Sequence, residues 1–528
     1  MNAGNEKGIS SVIPYKFPNS VSYDKDIMIN NIPSQDQRNV HVAVAVNGWL
    51  YAVYTHNTTS GSAGLTIIKS TDDGVTWNIL ADNSTPGSYN ATSIVAAGNT
   101  LADLKVFVAG VLYSGTTHEY TVWCDRINGQ TGVDEDEFFS ETNYTHTIYD
   151  VAIASDYQYP ATGISTYSIG IVYSKSGNHL DSVIMLTSSD GGTTIGSRNV
   201  VTTTYNYCHN VAISYGICPS WQNGRYFLAW EEFETISATG GHIMASYTNP
   251  HIDSPVVDKI KLDSIDPNCL NVCRNPTIAT QFSSANNNVS SLTEVVLFDR
   301  YWALGPDWDV IGYYNLQAIG TGLTTWQRMN VAETSDNELQ ADINFDPGYN
   351  NFLVTYYDST TEKLPYVVND MNLGNPNTWI VISNGYNDNP NLENPYPKVQ
   401  INSMKEKVAN VWSAEGTGGN GVAMFDAEYS NYNGIAEIHH SDFVTLQGAF
   451  PNPASLSTSI GFTLSKPAQV TIKLYSVFGQ EINTLTNNSY SPGSYKVAVD
   501  VGSLSPGTYI YSFKANEFTT SGRIVVLK

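Results

Sequence analysis

Leu50-Tyr-Ala-Val-Tyr54 is the first of seven short apolar runs whose spacing decides the architecture. The others are Val106-Phe-Val-Ala-Gly110, Ser168-Ile-Gly-Ile-Val-Tyr173, Tyr226-Phe-Leu-Ala-Trp230, Val295-Val-Leu-Phe298, Phe352-Leu-Val-Thr-Tyr356 and Val408-Ala-Asn-Val-Trp412. Their starts lie 56, 62, 58, 69, 57 and 56 residues apart. A shorter run precedes each of them: Val40-His-Val-Ala-Val44, Ser93-Ile-Val-Ala96, Val151-Ala-Ile-Ala154, Val211-Ala-Ile-Ser214, Thr277-Ile-Ala-Thr280, Asp342-Ile-Asn-Phe345 and Lys398-Val-Gln-Ile401. Residues of β propensity dominate both sets, and helical periodicity is almost absent.

Small residues punctuate the shorter runs, as an innermost strand crowded around a channel requires. Each remaining stretch of about 35 residues holds two more strands, so each unit has four. All-β units of this size, repeated seven times, predict a seven-bladed β-propeller over residues 38–438. A sandwich would not explain seven equivalent strand pairs. An open outer edge in the last blade needs a partner. The N-terminal segment 1–37 offers Asp26-Ile-Met-Ile-Asn30 as a ring-closing strand, and Gly434-Ile-Ala-Glu-Ile438 is the local alternative.

The first unit contains Ser70-Thr-Asp72-Asp-Gly74-Val-Thr76-Trp77. The third holds a degenerate copy, Ser188-Ser-Asp190-Gly-Gly192-Thr-Thr194-Ile195, and Thr324-Thr-Trp326 and Asn377-Thr-Trp379 look like worn remnants. The pattern resembles the Asp-box, or BNR repeat, of sialidase-like propellers. The chemistry is that of a turn: Asp accepts from its own loop, Gly takes a positive φ, and Trp packs between units. The resemblance implies a loop between third and fourth strands, opposite the active face, in catalytic and non-catalytic propellers alike.

Residues 450–528 read differently. Phe450-Pro-Asn-Pro453 opens the segment, Phe478-Gly479 follows a strand, Gly493-Ser-Tyr495 and Pro506-Gly-Thr-Tyr509 start strands, and Arg523-Ile-Val-Val-Leu-Lys528 ends it. Taken in this order at the C-terminus, they resemble the type A sorting domain of the type IX secretion system. Short alternating strands broken by Pro-Gly turns predict a small antiparallel sandwich. The resemblance implies docking on the secretion translocon, export to the outer surface of a Gram-negative bacterium, and a cut in or before a linker at 439–449. Adjacent His439 and His440 would point to opposite faces of a strand, which argues against a metal pair. Such cargo first crosses the inner membrane, so a signal peptide is expected; Met1–Lys7 has no hydrophobic core, and the peptide is inferred to have been removed.

The charge of −24, with 25 basic and 49 acidic residues, excludes nucleic acid and anionic lipid as partners. No run approaches the roughly 18 apolar residues of a membrane helix. In an oxidising compartment the five cysteines suggest local Cys208–Cys218 and Cys269–Cys273 pairs, leaving Cys124, with five buried thiols as the alternative. No cofactor is expected. The acidic loop Asp134-Glu-Asp-Glu137 is a weak calcium candidate, lacking spaced ligands and a Gly.

In a propeller, ligands meet the loops that lead into first strands and leave second strands. Ahead of the first strands stand Arg38-Asn39, Tyr149-Asp150, His209-Asn210 and Arg274-Asn275. After the second strands stand His56, Glu231-Glu232, Asp299-Arg300-Tyr301-Trp302, Tyr357-Asp358 and Trp412 with Glu415. Aromatic faces and charged groups in such a ring suit glycans. Tyr149, His209, Tyr301, Trp302, Tyr357, Asp358 and Trp412 are the expected binding residues, against the alternative that they are ordinary hydrogen-bonded strand ends. Non-catalytic binding of glycan or protein ligands, in adhesion or surface assembly, is the leading expectation.

Glycoside hydrolysis is the alternative, with a carboxylate pair drawn from Glu231, Asp299 and Asp150. The sialidase resemblance implies an arginine triad, imaginable as Arg38, Arg274 and Arg300. The sequence lacks that family's Arg entry motif: Val12-Ile-Pro-Tyr-Lys-Phe-Pro18 holds no Arg. A structural subunit of a surface assembly is the third reading.

Overall fold

The computed structural model describes residues 26–29, 35–45, 47–58, 62–86, 88–98, 103–156, 167–216, 224–234, 241–248, 256–263, 272–281, 291–302, 307–318, 326–346, 351–370, 379–383, 385–387, 392, 394–402, 407–416, 420–429, 439–441, 444–450, 454, 456–464, 466–476, 480–516 and 518–526. They form an all-β protein that divides into two compact units, with Ser22–Tyr429 in one and Ser430–Lys528 in the other.

Seven four-stranded antiparallel sheets build the larger unit, six of them with all four strands in meander order. Their first strands are Gln35–Val44, Ser88–Ala97, Ile148–Ser155, Tyr207–Gly216, Cys273–Thr280, Glu338–Asp346 and Lys398–Asn402. Second strands such as Leu50–Thr58, Arg225–Phe233 and Ser291–Trp302 are largely buried on both faces, because neighbouring sheets cover both. The apolar clusters accordingly span adjacent sheets. Phe107 and Val122 of sheet two pack with Ile153 and Ile171 of sheet three, and Val42 and Tyr54 of sheet one with Val411 and Phe425 of sheet seven. The first strands of all seven sheets line a central channel of about 540 Å³.

Sheet seven takes its fourth strand from the other end of the chain. Ile27 and Met28 pair with Phe425 and Met424, and Ile29 N–H donates to the Ala423 carbonyl. The local alternative, Gly434–Ile438, lies outside the described residues, as do Val12–Pro18, Phe478-Gly479, Cys218 and Cys269.

The Ser-x-Asp-x-Gly-x-Thr loops join third to fourth strands in sheets one and three. Asp72 accepts from Thr76 N–H (2.9 Å) and Thr76 Oγ1 (2.6 Å), and Gly74 N–H donates to Ser70 Oγ (2.8 Å). Asp190, Thr194, Gly192 and Ser188 repeat the pattern. Trp77 meets Phe425 of sheet seven edge-on at 5.0 Å, while Ile195 packs into the cluster between sheets two and three. Trp326 and Trp379 begin fourth strands and pack between sheets in the same way.

In the C-terminal unit, His439–Ser441, Val444–Phe450, Ser457–Leu464 and Gly493–Asp500 form one sheet. Ala468–Ser476, Glu481–Tyr490, Gly507–Ala515 and Phe518–Val526 form the other. Ile460, Phe462, Ile472 and Phe513 fill the layer between them. The stretch expected as a linker at 439–449 is therefore largely strand, because Val444–Phe450 pairs with Ser457–Leu464.

Two further expectations are corrected. Cys208 is a free buried thiol, since its side chain turns into the core beside Val183, Met185 and Trp230; Cys124 is also free and buried. Cys273 is disulfide-bonded. Asp134–Glu137 is no loop but the start of the fourth strand of sheet two, where Glu135 pairs with Lys105 and Arg126. Among the described residues no group of three or more acidic, His or Cys side chains is placed to hold a metal, and no helix is long and apolar enough to cross a membrane.

Candidate functional site

The channel mouth lies where the first strands begin. Register shifts there mark β-bulges in six sheets, at Arg38/His41, Tyr89/Ala91, Ile148/Asp150, His209/Ala212, Arg274/Thr277 and Leu339/Asp342. Asn39, Asn210, Asn275 and Gln340 sit in these bulges with φ of 51°, 52°, 53° and 55°. Asn tolerates the left-handed region better than most residues, because its short amide bonds locally. A bulge re-aims the side chain and frees the main-chain N–H.

Those freed groups tie the sheets together through carboxylates. Asn210 N–H donates to Asp150 Oδ2 (2.6 Å) of sheet three. The Asn210 side chain donates to Glu231 Oε2 (2.8 Å), which also accepts from Asn275 N–H of sheet five (3.4 Å). Asn275 Nδ2 donates to Asp299 Oδ2 (2.7 Å), and Gln340 N–H of sheet six to Asp299 Oδ1 (2.8 Å). Gln340 Oε1 in turn accepts from Tyr396 N–H (3.0 Å) before sheet seven. Asp150, Glu231 and Asp299 thus belong to one chain of hydrogen bonds crossing sheets three to six.

Burial governs their charge. Desolvation lifts Glu231 to about 6 against the hydrogen bonds from Asn210 and Asn275, and lifts Asp299 to about 7 against Asn275, Arg274 and Gln340. Asp150 is raised as well, by burial and in spite of nearby His209. Arg274 lies with its Nε 3.7 Å from Asp299 Oδ2, and its guanidinium stacks 3.8 Å over Trp308. Tyr396 is half exposed, and its hydroxyl is raised by burial and by the nearby charges of Asp299 and Glu231.

The other expected residues go elsewhere. Arg38 Nε bonds Asp36 (2.9 Å) where sheet one meets Gly421 of sheet seven. Arg300 is fully buried between Asp309 Oδ2 and Glu333 Oε1, both at 2.7 Å, with Trp302 stacked on it at 4.6 Å. Arg38, Arg274 and Arg300 therefore form no triad: successive strand residues alternate faces, which sends Arg300 away from Asp299. The same alternation turns Glu232 to Trp230 Nε1 (3.0 Å) while Glu231 faces the mouth.

Trp412 is fully buried against Tyr386, and His56 is buried beside Asp82, with Gly64 leaving room for its ring. The Tyr357 hydroxyl donates to the Leu392 carbonyl, and Asp358 caps the turn at Thr360 and Thr361. Tyr149 and His209 do meet, stacked at 3.9 Å, and Tyr301 packs on Trp308 at 5.4 Å. Sequence reading missed Gln340, Tyr396 and Trp308. A polar residue three before an aliphatic one (Asn39/Val42, Asp150/Ile153, Asn210/Ile213, Asn275/Ile278) carried the signal for Gln340, which stands three before Ile343.

No curated protein matches the sequence. Among solved structures, the chain resembles a protein of unknown function from Dyadobacter fermentans (12% identity, 77% of this chain and 98% of that one, TM-score 0.43). It also resembles an α-L-arabinanase from Penicillium chrysogenum, solved with arabinobiose (10%, 77% and 98%, TM-score 0.43). A third is a Hadza microbial sialidase (10%, 75% and 66%, TM-score 0.35). Residues 448–527 match the family described as the secretion system C-terminal sorting domain. The chain thus carries a type IX secretion sorting domain at its C-terminal end, and the protein is exported to the outer surface of a Gram-negative bacterium.

Proposed function

We propose that the seven sheets are the blades of a closed propeller, delivered to the cell surface, whose channel mouth binds glycan or protein ligands without turning them over. One observation carries this reading. The carboxylates at the mouth are spent on holding blades together: both Asp299 oxygens accept hydrogen bonds, and Asp299 and Glu231 are buried. Tyr396 and the Arg274–Trp308 stack are the groups presented to a ligand, and aromatic and guanidinium faces suit sugars. A glycan array with the purified protein, run alongside hydrolysis of 4-nitrophenyl glycosides, tests it. Binding without release of nitrophenol supports the reading.

A second reading, exo-acting glycoside hydrolysis of the sialidase-like type, is favoured by Glu231 at about 6 and Asp299 at about 7, bridged by Asn275. A carboxyl group held protonated near neutrality is what a general acid requires. Nitrophenol release that disappears in a folded Glu231→Gln variant would establish it and displace the first.

A further inference from the structure

The large apolar side chains exposed on the propeller unit sort by end. Among the described residues, the tyrosines Tyr144, Tyr205 and Tyr396 all lie on connections from a fourth strand to the next first strand, at the end of the sheets where the mouth lies. The aliphatic ones lie elsewhere: Met28, Ile79, Val200 and Val381 on fourth strands, Val75 and Val133 in loops between third and fourth strands. Among the described residues, the exposed large apolar side chains at this end are therefore amphipathic rings.

A run of rings crosses sheets three and four, and two of these tyrosines lie on the connections leading into the same two sheets. Tyr149 stacks on His209 at 3.9 Å, His209 tilts against Phe233 at 4.9 Å, and Phe233 stacks on Tyr207 at 5.6 Å. Tyr205, two residues before Tyr207, is 83% exposed, and Tyr144, on the connection into sheet three, is 71% exposed. Hydrogen-bonding groups lie at the same end of sheet three: His146 Nε2 meets Asn178 Oδ1 at 3.0 Å, and the Tyr149 hydroxyl bonds Asp181 and Ser176. At its inner end the run reaches the mouth, where His209 lies beside Asp150 and opposite Glu231 in register.

Its charge selects the ligand. The carboxylates are Asp150, Asp181 and Glu232; of the neighbouring cations, Lys175 and Arg198 are engaged by Glu141 at 2.5 and 3.1 Å, and Lys259, which reaches Thr202 across the seam at 2.8 Å, has Glu232 at 3.8 Å. On a protein of charge −24, a polyanion would be repelled here.

We infer that the seam of sheets three and four is an extended subsite for an uncharged polysaccharide, which runs outward from the mouth with Tyr144 and Tyr205 as outer stacking platforms. This rests on the binding reading of the mouth and adds to it the ligand's charge, length and path. Exposed rings beside hydrogen-bonding groups suit the apolar faces and hydroxyl edges of sugar units.

The test is affinity electrophoresis of the full chain in native gels containing dextran, galactomannan or xyloglucan, with polygalacturonate as the charged control. At least one neutral polymer retards the protein, and polygalacturonate does not. The exposed-residue variant Tyr144→Ala/Tyr205→Ala weakens apparent affinity about tenfold, roughly the effect of two lost aromatic contacts. Retardation by polygalacturonate alone overturns the inference. So does a double variant that migrates as wild type while Tyr396→Ala abolishes retardation; that result keeps a ligand at the mouth and removes it from the seam. No retardation in any gel and no array signal overturns both readings together.

Discussion

Asn275 donates its side-chain amide to Asp299 at 2.7 Å from a backbone with φ of 53°, so one residue sets both the bulge and the carboxylate at the mouth. Its main-chain N–H turns to Glu231 of the preceding sheet. Channel geometry and sheet-to-sheet cohesion are thus the same set of bonds.

Replacing Asn275 separates the two contributions. Asn275→Gly keeps the left-handed backbone and leaves Asp299 short of a donor, which costs about 1–2 kcal/mol. Asn275→Ala loses the same bond and adds strain of about 1 kcal/mol at positive φ. Urea denaturation midpoints should fall in the order wild type, Gly, Ala. A Gly variant less stable than the Ala variant would contradict the role assigned to the bulge.

Stability should rise on mild acidification. Burial raises Asp299 from 3.8 to about 7 and Glu231 from 4.5 to about 6, and likewise raises Asp125, Asp156 and Glu338 to about 7. A raised folded pKa means the native state holds protons that the unfolded chain has lost. The stabilisation is full below the unfolded values near 4 and is lost as pH rises through 6 to 7. Melting temperature at pH 5.5 should exceed that at pH 8, and Asp299→Asn should flatten the difference. Asp190 runs the other way: bonds from Thr194, Ser188 and Thr193 overcome its partial burial and hold it at about 2, so its contribution disappears only in strong acid.

The two arginines predict opposite phenotypes. Arg300→Met leaves buried Asp309 without its guanidinium partner, while Glu333 keeps Arg328 at 2.7 Å, and should cost about 3–5 kcal/mol with the mouth unchanged. Arg274→Ala, at a half-exposed stack on Trp308, should change stability by about 1 kcal/mol or less and weaken ligand binding. Thermal melts paired with the glycan array distinguish them; loss of binding in Arg300→Met at a temperature where it is fully folded would reverse the assignment.

Gly192 tests the loop between third and fourth strands. It has a φ of 72°, and a Cβ there would stand 2.3 Å from the Phe107 ring of sheet two. Gly192→Ala should destabilise by about 2–4 kcal/mol, from backbone strain and overlap together. In a Phe107→Leu background the added cost of the Ala should shrink, since the overlap is relieved; an unchanged cost would confine the effect to backbone strain.

Much of the fold was legible because strand repeats are local. The paired runs from Val40 to Trp412 announced their strands, the Asp72 and Asp190 loops fall between third and fourth strands, and the closing strand expected at Asp26–Asn30 sets Ile27 and Met28 opposite Phe425 and Met424. The site was legible in part. Repeat position brought Asp150, His209, Glu231, Arg274 and Asp299 to one place, since equivalent positions in successive sheets lie at the same end of their strands. It failed for Trp412, His56 and Arg300, because position along a strand fixes the end and not the face.

By itself the sequence determined the repeat, the turn chemistry, the acidic charge and the C-terminal sorting segment, all of which depend on neighbours in the chain. Only the tertiary structure decided which side chains meet. Asn275 reaches Glu231 and Asp299 through a bulge, Arg300 is swallowed by Asp309 and Glu333, and Cys208 is turned into the core away from any disulfide. The reason is that strand alternation and bulges assign each side chain to a face one residue at a time, and the neighbouring sheet then decides whether that face is solvent, a partner or a core.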